Sequence, residues 1–441
     1  MSVLSRIQKT SVEYCYEETD QAYRKQLHTK LKEDLVKTLG LGRIASMVRS
    51  DDDEQAKQEL EVASFAILNT YDYQSINQDV KQQIVAQVLD EIIGLGAIQP
   101  LLDDSEVTEV MVNGCSSLFY EKAGTLYQAQ RVFDTPEQIM LVVDRILAPL
   151  GRRLDETNPV VSARLANGDR VNAVIHPIAI DGPVVTIRKF SNQITSLETL
   201  VKLGSLPKWY ATMLSWAVRA RQDIAVAGGT GSGKTTLLNA LSCEIPHTER
   251  IITIEDSAEL QFKSHPHVVR LETRDESIEK TGEVTVRDLV KNALRMRPDR
   301  IVVGEVRGSE AIDMLQAMNT GHDGSLTTLH AGSAKEAVLR LVMMARFGMD
   351  LPTDVIESQI ATALDIIVLS KRLGTGKRFI TSAATVSLGE TGEIELNEFV
   401  HFNQENKTWS LLEIPRYIET CVMEGILEEK EVDSWKASLS F

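Results

Sequence analysis

The stretch Asp223–Cys243, "DIAVAGGTGSGKTTLLNALSC", places a glycine-rich turn between a short apolar run and a helical pattern. Gly228, four further residues and then Gly233-Lys234-Thr235 match the phosphate-binding loop, whose backbone N–H groups turn inward around an anion. The helix that follows adds the positive end of its dipole. The segment therefore predicts a strand, a phosphate loop and a helix, the start of an α/β nucleotide-binding fold.

Each residue type in the loop predicts a separate contact with a nucleoside triphosphate. Lys234 is expected to reach the β- and γ-phosphates, and the Thr235 hydroxyl is expected to bind Mg²⁺. The loop by itself predicts only that a nucleoside triphosphate binds, because hydrolysis also needs carboxylates that orient water and the metal ion. The predicted nucleotide contacts are Gly228, Gly229, Thr230, Gly231, Ser232, Gly233, Lys234, Thr235 and Thr236.

Helical patterns alternate with short apolar runs from residue 208 onward. Such alternation predicts a mainly parallel sheet covered by helices on both faces. The segment from Phe379 onward predicts a hairpin and a final helix. The predicted strands lie in "DIAVAG", "RIITIED", "HVVRLE", "RIVVGE", "GSLTTLH" and "LDIIVLS".

The first 190 residues do not show this alternation of strands and helices. Residues 1–75 are polar and predict helices, with Leu27, Leu31 and Leu35 expected on one helix face. Residues 76–190 predict a smaller α+β domain whose strands turn at Asn-Gly and Ala-Gly pairs. We expect a helical extension at 1–75, the α+β domain at 76–190, a linker at 191–207 and the nucleotide-binding domain at 208–441.

Composition limits the function of the 441-residue chain. Lys and Arg number 47 against 63 Asp and Glu, a net charge of −16, which disfavours binding to nucleic acid. No apolar run is long enough to span a membrane, and the first residues lack the pattern of a secretory signal. The four cysteines are far apart, which favours neither disulfides nor a zinc site. These features predict a soluble cytoplasmic protein.

Acidic residues follow two of the predicted strands. Glu305 ends "RIVVGE", where a carboxylate can hold Mg²⁺, directly or through water, or polarise the attacking water. Glu255 ends "RIITIE", and Glu259 lies one helical turn further on. Either Glu305 or Glu255 could act as general base, and Glu305 is the first choice.

Histidines and arginines complete the candidate site. His322 and His330 flank the strand in "GHDGSLTTLH", where they could sense the γ-phosphate or its loss. Arg170 and Arg188 lie in the α+β domain, from which an arginine could neutralise charge that develops during phosphoryl transfer.

Four ordered motifs between residues 80 and 400 resemble the secretion ATPase superfamily that powers type II secretion, type IV pili and type IV secretion. They are the Walker A "GGTGSGKTT", the Asp box "TIEDSAEL", the Walker B "IVVGEVRG" and the His box "TGHDGSLTTLHA". The segment from "LVKNALRMRPDR" through the His box looks most like the Tad (Flp-type) pilus motor ATPases. Two positions depart from that subfamily's usual pattern, Ser257 and Gly332, and neither touches a proposed catalytic atom.

The resemblance implies a PAS-like domain joined by a flexible linker to a RecA-like domain, assembled as a homo-hexamer that hydrolyses ATP. It implies a position at the cytoplasmic face of the inner membrane and a platform protein there as partner. Arg170 and Arg188 match the arginines that contact the γ-phosphate.

Three alternatives stay open at the level of sequence. A type II or type IV secretion ATPase that moves protein or DNA shares the motifs, although the tetracysteine module of many type II enzymes is absent. A nucleic-acid translocase is disfavoured by the acidic charge. A scaffold that binds nucleotide without hydrolysis is disfavoured by Glu255 and Glu305.

Overall fold

The structure is a computed structural model, and the chain consists of two compact units, Met1–Phe190 and Ser191–Phe441. Residues 1–22, the predicted boundary between residues 75 and 76, and the first part of the predicted linker lie outside the described residues. The structure describes residues 23–48, 53–71, 77–165, 167–190, 196–262, 265–274, 276, 281–390 and 392–439.

The first unit begins with helices that share one apolar core. Leu27, Leu31 and Leu35 are buried in it, which confirms the predicted apolar face. Buried residues of the fourth helix, among them Val88, belong to the same cluster. These helices are α1 (residues 23–39), α2 (Leu41–Val48), α3 (Asp53–Thr70) and α4 (Gln78–Ile92).

A six-stranded antiparallel sheet and one long helix form the second core of this unit. The sheet order is β3-β2-β1-β6-β5-β4, and its hairpins turn at the predicted pairs. The apolar side of α6 packs with one face of the sheet, which leaves the other face to polar side chains. The elements are a 3₁₀ turn (Gly96–Ile98), α5 (Gln99–Asp103), β1 (Val107–Asn113), β2 (Ser117–Lys122), β3 (Thr125–Gln128), α6 (Pro136–Leu147), a 3₁₀ turn (Ala148–Leu150), β4 (Val160–Arg164), β5 (Arg170–Val174) and β6 (Val184–Arg188).

The second unit is built on a nine-stranded sheet of order β15-β14-β13-β12-β7-β11-β10-β8-β9. The strands from β12 to β9 in this order are parallel, and β13 to β15 extend the sheet as antiparallel neighbours. All six predicted apolar strands are confirmed, as is the predicted hairpin. The strands are β7 (Ile224–Gly228), β8 (Ile251–Glu255), β9 (Val268–Glu272), β10 (Arg300–Val303), β11 (Leu326–Leu329), β12 (Ile366–Arg372), β13 (Arg378–Leu388), β14 (Ile394–Asn403) and β15 (Thr408–Leu411).

Helices cover both faces of this sheet, and β7 is therefore buried on both sides. Ile224 and Val226 point into one core, and Ala225 and Ala227 point into the other. The helices of the first core are α7 (Leu197–Lys202), α8 (Lys208–Arg219), α9 (Lys234–Ser242), α14 (Tyr417–Met423) and α15 (Glu429–Ser438), and those of the second are α10 (Val286–Ala293), α11 (Glu310–Met318), α12 (Ala334–Gly348) and α13 (Thr353–Ala363).

The parallel arrangement fixes where a site can form. The carboxyl ends of β7, β8, β10 and β11 lie at one edge of the sheet, where ligands of open α/β sheets bind. We call this the carboxyl edge and the opposite side the amino edge. The fold is thus the predicted α/β class, a mainly parallel sheet with a smaller α+β region and a helical amino-terminal region.

Candidate functional site

The loop after β7 has the tight backbone that its glycines predict. Gly231 and Gly233 adopt positive φ angles of 67° and 97°, which residues with a side chain rarely adopt. A β-carbon on Gly228 would lie 2.4 Å from Ser232 Oγ. The loop then passes directly into α9 at Lys234, so the helix amino terminus faces the loop as anion binding requires.

Lys234 occupies the centre of this loop. Its side chain is buried although it carries a charge, with 8% of the residue exposed. The ammonium donates to the carbonyl of Gly229 at 3.1 Å and lies 3.4 Å from both ring nitrogens of His330. Thr235 is half-buried in the first turn of α9, while Thr230 and Thr236 are exposed.

His330 links the phosphate loop to the end of β10. Its Nε2 lies 2.8 Å from Glu305 Oε1, and Arg307 Nη2 lies 2.5 Å from the other oxygen of that carboxylate. Burial and the nearby Lys234 ammonium lower the pKa of His330, so its imidazole is neutral at pH 7. Arg307 also reaches Asp256 at 3.2 Å. Side chains that follow β8, β10 and β11 are therefore joined in one network of contacts.

Glu255 is the buried carboxyl of the site, with 4% of the residue exposed. Its Oε2 accepts the backbone N–H groups of Glu259 at 2.7 Å and Leu260 at 3.0 Å. Its Oε1 is buried and has no hydrogen-bond partner among the described residues. Burial raises the pKa of Glu255 to about 7, against the opposing effect of the two N–H donors. The group therefore gains or loses a proton in the neutral range.

Gly304 makes room for this carboxyl beside β10. A β-carbon at Gly304 would lie 2.9 Å from Glu255 Cγ. Glu255 thus lies against the residue that precedes Glu305. The three predicted acids therefore lie near one another. Glu259 is half-buried, and its backbone N–H donates to the Glu255 carboxyl.

The structure does not bring His322 to the loop. Leu326 is paired with Ile224 at the start of β7, so His322 precedes β11 at the amino edge. There its Nδ1 lies 3.3 Å from the carbonyl of Ala317 at the end of α11. The length of β11, at about 3.3 Å per residue, separates the two histidines by about 13 Å. This position gives no support to a contact between His322 and a phosphate in the loop of the same chain.

The two predicted arginines lie side by side in the first unit. Arg170 and Arg188 are paired across β5 and β6, so their side chains share the polar face of that sheet. Arg164 is paired with Arg170 on the other side and extends the row. Arg164 was not predicted as a site residue, although the predicted turn at Asn167-Gly168 brings it opposite Arg170.

Several contacts at the carboxyl edge were also missed. Arg307 binds Glu305 from two residues away, and a cation at that spacing was a visible signal. Thr328 Oγ1 donates to the carbonyl of Gly304 at 2.8 Å and fixes β11 against β10. Ser370 and Arg378 contact the loop from far downstream in the chain, and no sequence signal indicated them.

A phosphate loop at the carboxyl edge of a mainly parallel sheet, with acids on neighbouring strands, defines a P-loop nucleotide-binding protein. Residues 91–405 match the family described as Type II/IV secretion system protein. The chain belongs to this family, within the superfamily of type II and type IV secretion ATPases.

Individual relatives are similar over much of the chain. A putative conjugal transfer protein of Mycobacterium tuberculosis is 37% identical over 306 residues, 68% of this chain and 86% of the relative. The type IV secretion system protein VirB11 of Brucella suis is 35% identical over 302 residues, 62% of this chain and 83% of the relative. The crystal structure of Brucella suis VirB11 with sulphate is 32% identical, covers 65% of this chain and 94% of its own, and gives a TM-score of 0.36.

Within the described ranges, no helix combines the length and the apolar character needed to cross a bilayer.

Proposed function

We propose that this chain binds ATP with Mg²⁺ and hydrolyses it to drive a secretion or pilus machine. The observation that carries the proposal is the grouping of Lys234, His330, Glu305 and Glu255 at the carboxyl edge. A loop alone would support binding. A buried carboxyl that titrates near neutrality beside it supports hydrolysis, because a general base works best with a pKa near the working pH.

The donor set of the site fits Mg²⁺. This ion prefers hard oxygen ligands such as hydroxyl and carboxylate groups, and Thr235 and Glu305 would hold it, directly or through water. When bound, it would neutralise charge on the phosphate oxygens. The loop N–H groups and Lys234 would bind the β- and γ-phosphates whether or not hydrolysis follows.

We assign the general base to Glu255 in preference to Glu305. Arg307 binds Glu305 Oε2 at 2.5 Å, and Glu305 Oε1 lies 2.8 Å from His330 Nε2 but is without a hydrogen-bond partner among the described residues. Glu255 also keeps one oxygen without a hydrogen-bond partner among the described residues, but it forms no ion pair there, and burial raises its pKa to about 7. Its carboxylate would take a proton from the attacking water, with the backbone N–H groups of Glu259 and Leu260 fixing its orientation.

More specifically, we propose that the chain forms a homo-hexameric motor of a Tad (Flp-type) pilus. The motor would lie at the cytoplasmic face of the inner membrane and act through a platform protein. This assignment is supported by the four motifs and the segment before the His box. For Arg170 and Arg188 we propose contact with the γ-phosphate, and for the linker a hinge whose state follows the bound nucleotide.

Phosphate release by the purified chain tests the enzyme assignment. Lys234→Ala should lose at least about a hundredfold in turnover, because a charge that neutralises the transferred phosphate is removed. Lys430→Ala, an exposed lysine of α15, is the matched control and should keep wild-type turnover. A Lys234→Ala protein that hydrolyses ATP at the wild-type rate would rule the proposal out.

The arginine proposal is tested separately. Arg188→Ala should retain ATP binding and lose turnover, since its contact is with charge that develops during transfer. Unchanged turnover would remove Arg188 from the site and leave the enzyme assignment intact.

A second candidate is a type IV secretion ATPase that moves protein or DNA. The observation in its favour is that the relatives are described as conjugal transfer and type IV secretion proteins. Deletion of the gene separates the two. Loss of surface pili with transfer intact supports the pilus motor, and loss of transfer with pili intact supports the secretion ATPase.

A further inference from the structure

The hairpin formed by β12 and β13 lies directly against the phosphate loop. Ser370 and Gly228 are paired across β12 and β7, and a β-carbon on Gly228 would lie 2.4 Å from the carbonyl oxygen of Ser370. A β-carbon on Gly231 would lie 3.2 Å from Arg372 Nη1. A glycine is therefore needed at position 228 to admit this hairpin, and at Gly231 the Arg372 side chain lies close to the loop.

Two side chains of the hairpin donate hydrogen bonds to loop carbonyls. Ser370 Oγ donates to the carbonyl of Ser232 at 2.6 Å, and Arg378 Nε donates to the carbonyl of Gly231 at 2.9 Å. Ser370 is buried, with 3% exposed, whereas Arg378 is exposed. The two donors thus bind two consecutive peptide groups of the loop, those that join Gly231 to Ser232 and Ser232 to Gly233, from the side of the hairpin.

Holding these carbonyls also sets the direction of two N–H groups. In a planar trans peptide the C=O of one residue and the N–H of the next point in opposite directions. When the Gly231 carbonyl is held by Arg378, the N–H of Ser232 points to the inner side of the loop. When the Ser232 carbonyl is held by Ser370, the N–H of Gly233 does the same.

The structure shows the expected direction for Ser232. Its N–H donates to the carbonyl of Gly229 at 3.3 Å, the same carbonyl that accepts from Lys234 Nζ. The Ser232 N–H therefore points to the side of the loop on which the Lys234 ammonium lies, and a bound phosphate would replace the Gly229 carbonyl as its acceptor.

We propose that Ser370 and Arg378 are positioning residues of the nucleotide site, which turn the N–H groups of Ser232 and Gly233 toward the phosphates of the nucleotide. This inference rests on the proposed ATP binding and adds to it a role for a hairpin outside the motifs. The two residues act through the loop backbone and need no contact with ATP.

Two explanations of the hairpin's role, positive charge and positioning of the loop backbone, predict different ATP affinities for the Ser370 and Arg378 variants. An arginine beside the loop would favour an anion through its charge alone, and Ser370 carries no charge. If the hairpin acts by charge, removal of the Ser370 hydroxyl has no effect on ATP binding. If it acts by orienting peptide groups, removal of the hydroxyl weakens binding as removal of Arg378 does.

The experiment measures the dissociation constant for ATP with Mg²⁺ by calorimetry on the full chain, together with turnover and melting temperature. Ser370→Ala and Arg378→Ala should each weaken binding about tenfold, the effect of one lost hydrogen bond that involves a buried or charged partner. Ser370→Thr, which keeps the hydroxyl, should recover binding. Arg346→Ala, an exposed arginine of α12, is the control for loss of charge.

The outcomes separate this inference from the proposed function. Weaker binding in both variants, with KM raised more than kcat is lowered and with recovery in Ser370→Thr, supports positioning. Wild-type affinity in both variants overturns it, and so does an effect confined to Arg378→Ala, which would be an effect of charge. Absence of ATP binding by the wild-type chain would instead contradict the proposed function.

Discussion

The two edges of the nine-stranded sheet both hold buried charges, but they satisfy them differently. At the amino edge, Arg300 is completely buried and donates to Glu249 at 2.5 Å and to the carbonyls of Gly324 and Val218 at 2.9 Å. At the carboxyl edge, Glu255 keeps a buried oxygen without a partner among the described residues. Saturated charges fix a structure, whereas unsatisfied ones are costly to fold and are kept where chemistry needs them.

The amino edge also holds a pair of acids. Asp223 accepts the N–H of Ser325 at 2.8 Å, and Asp365 accepts the N–H of Asp223 at 2.8 Å. Burial, followed by the nearby Asp365 carboxyl, raises the pKa of Asp223 to about 9. The acids tie three strand starts together, which is a structural role. The comparison therefore predicts that changes at the amino edge affect stability and that changes at the carboxyl edge affect turnover.

Arg300→Met should give the largest effect, a loss of about 4 kcal/mol in the free energy of unfolding. The substitution leaves the half-buried Glu249 without its main partner, and broken buried ion pairs typically cost about 3–5 kcal/mol. Denaturant titration measures the loss. Arg300→Met combined with Glu249→Gln should lose less than Arg300→Met alone, and turnover per folded molecule should stay at the wild-type level. Equal losses in both proteins would show that the pair is not what stabilises this edge.

Glu255→Gln should show the reverse, with stability kept or increased and turnover reduced about a hundredfold, equal to about 2.7 kcal/mol. Because Glu255 must be deprotonated to accept a proton, wild-type kcat/KM should fall as the pH drops through about 7. Steady-state rates across the neutral range, from mildly acidic to mildly basic buffer, measure this. A rate that stays constant across that range would assign the base elsewhere.

The two histidines provide a matched pair at opposite edges. His330→Ala should lower turnover about thirtyfold, about 2 kcal/mol, because Glu305 and Lys234 lose the group between them. His322→Ala should leave turnover close to the wild-type level and lower the melting temperature by a few degrees. A His322→Ala protein with turnover as low as that of His330→Ala would restore the predicted role of His322 at the γ-phosphate.

Asp223→Asn should stabilise the protein, in contrast to Arg300→Met at the same edge. The folded state keeps a proton on Asp223 up to about pH 9, while the unfolded chain releases it near pH 4. Stability from this group is therefore present at low pH and is lost as the pH rises toward 9. Asparagine keeps the acceptor for Ser325 and does not ionise, so the variant should be more stable than wild type, and by more at about pH 8 than at about pH 6. Thermal unfolding at about pH 6 and about pH 8 measures the change in slope, and parallel slopes would contradict the assignment.

The sequence predicts features that depend on neighbouring residues in the chain. The six strands and the phosphate loop follow from apolar runs and glycines that lie within a few residues of each other. Of the network around Glu305, Lys234 and His330 were predicted as site residues, and Arg307 was not. Its contacts were not predicted, since the distance between strand ends depends on the sheet order. His322 illustrates the limit, because its motif suggests a partner for His330 while the strand between them carries the two to opposite edges.

Ser370 and Arg378 were beyond prediction for the same reason. Their contacts with the loop require β12 to pair with β7, a neighbour that is remote in sequence. Apolar periodicity gives the existence of a strand and its two faces, but it does not give the partner strand.

The remote origin of the hairpin has a consequence for synthesis of the chain on the ribosome. Ser370 follows Ser232 by 138 residues. At about 5–20 residues per second, the phosphate loop leaves the ribosome on the order of ten seconds before the strand that pairs with β7 and holds the loop carbonyls. Until Leu326 is made, β7, an entirely apolar strand, has neither β11 nor β12 beside it, and from then until β12 is made it has only β11. The contacts that hold the phosphate loop are therefore completed only late in the synthesis of the chain.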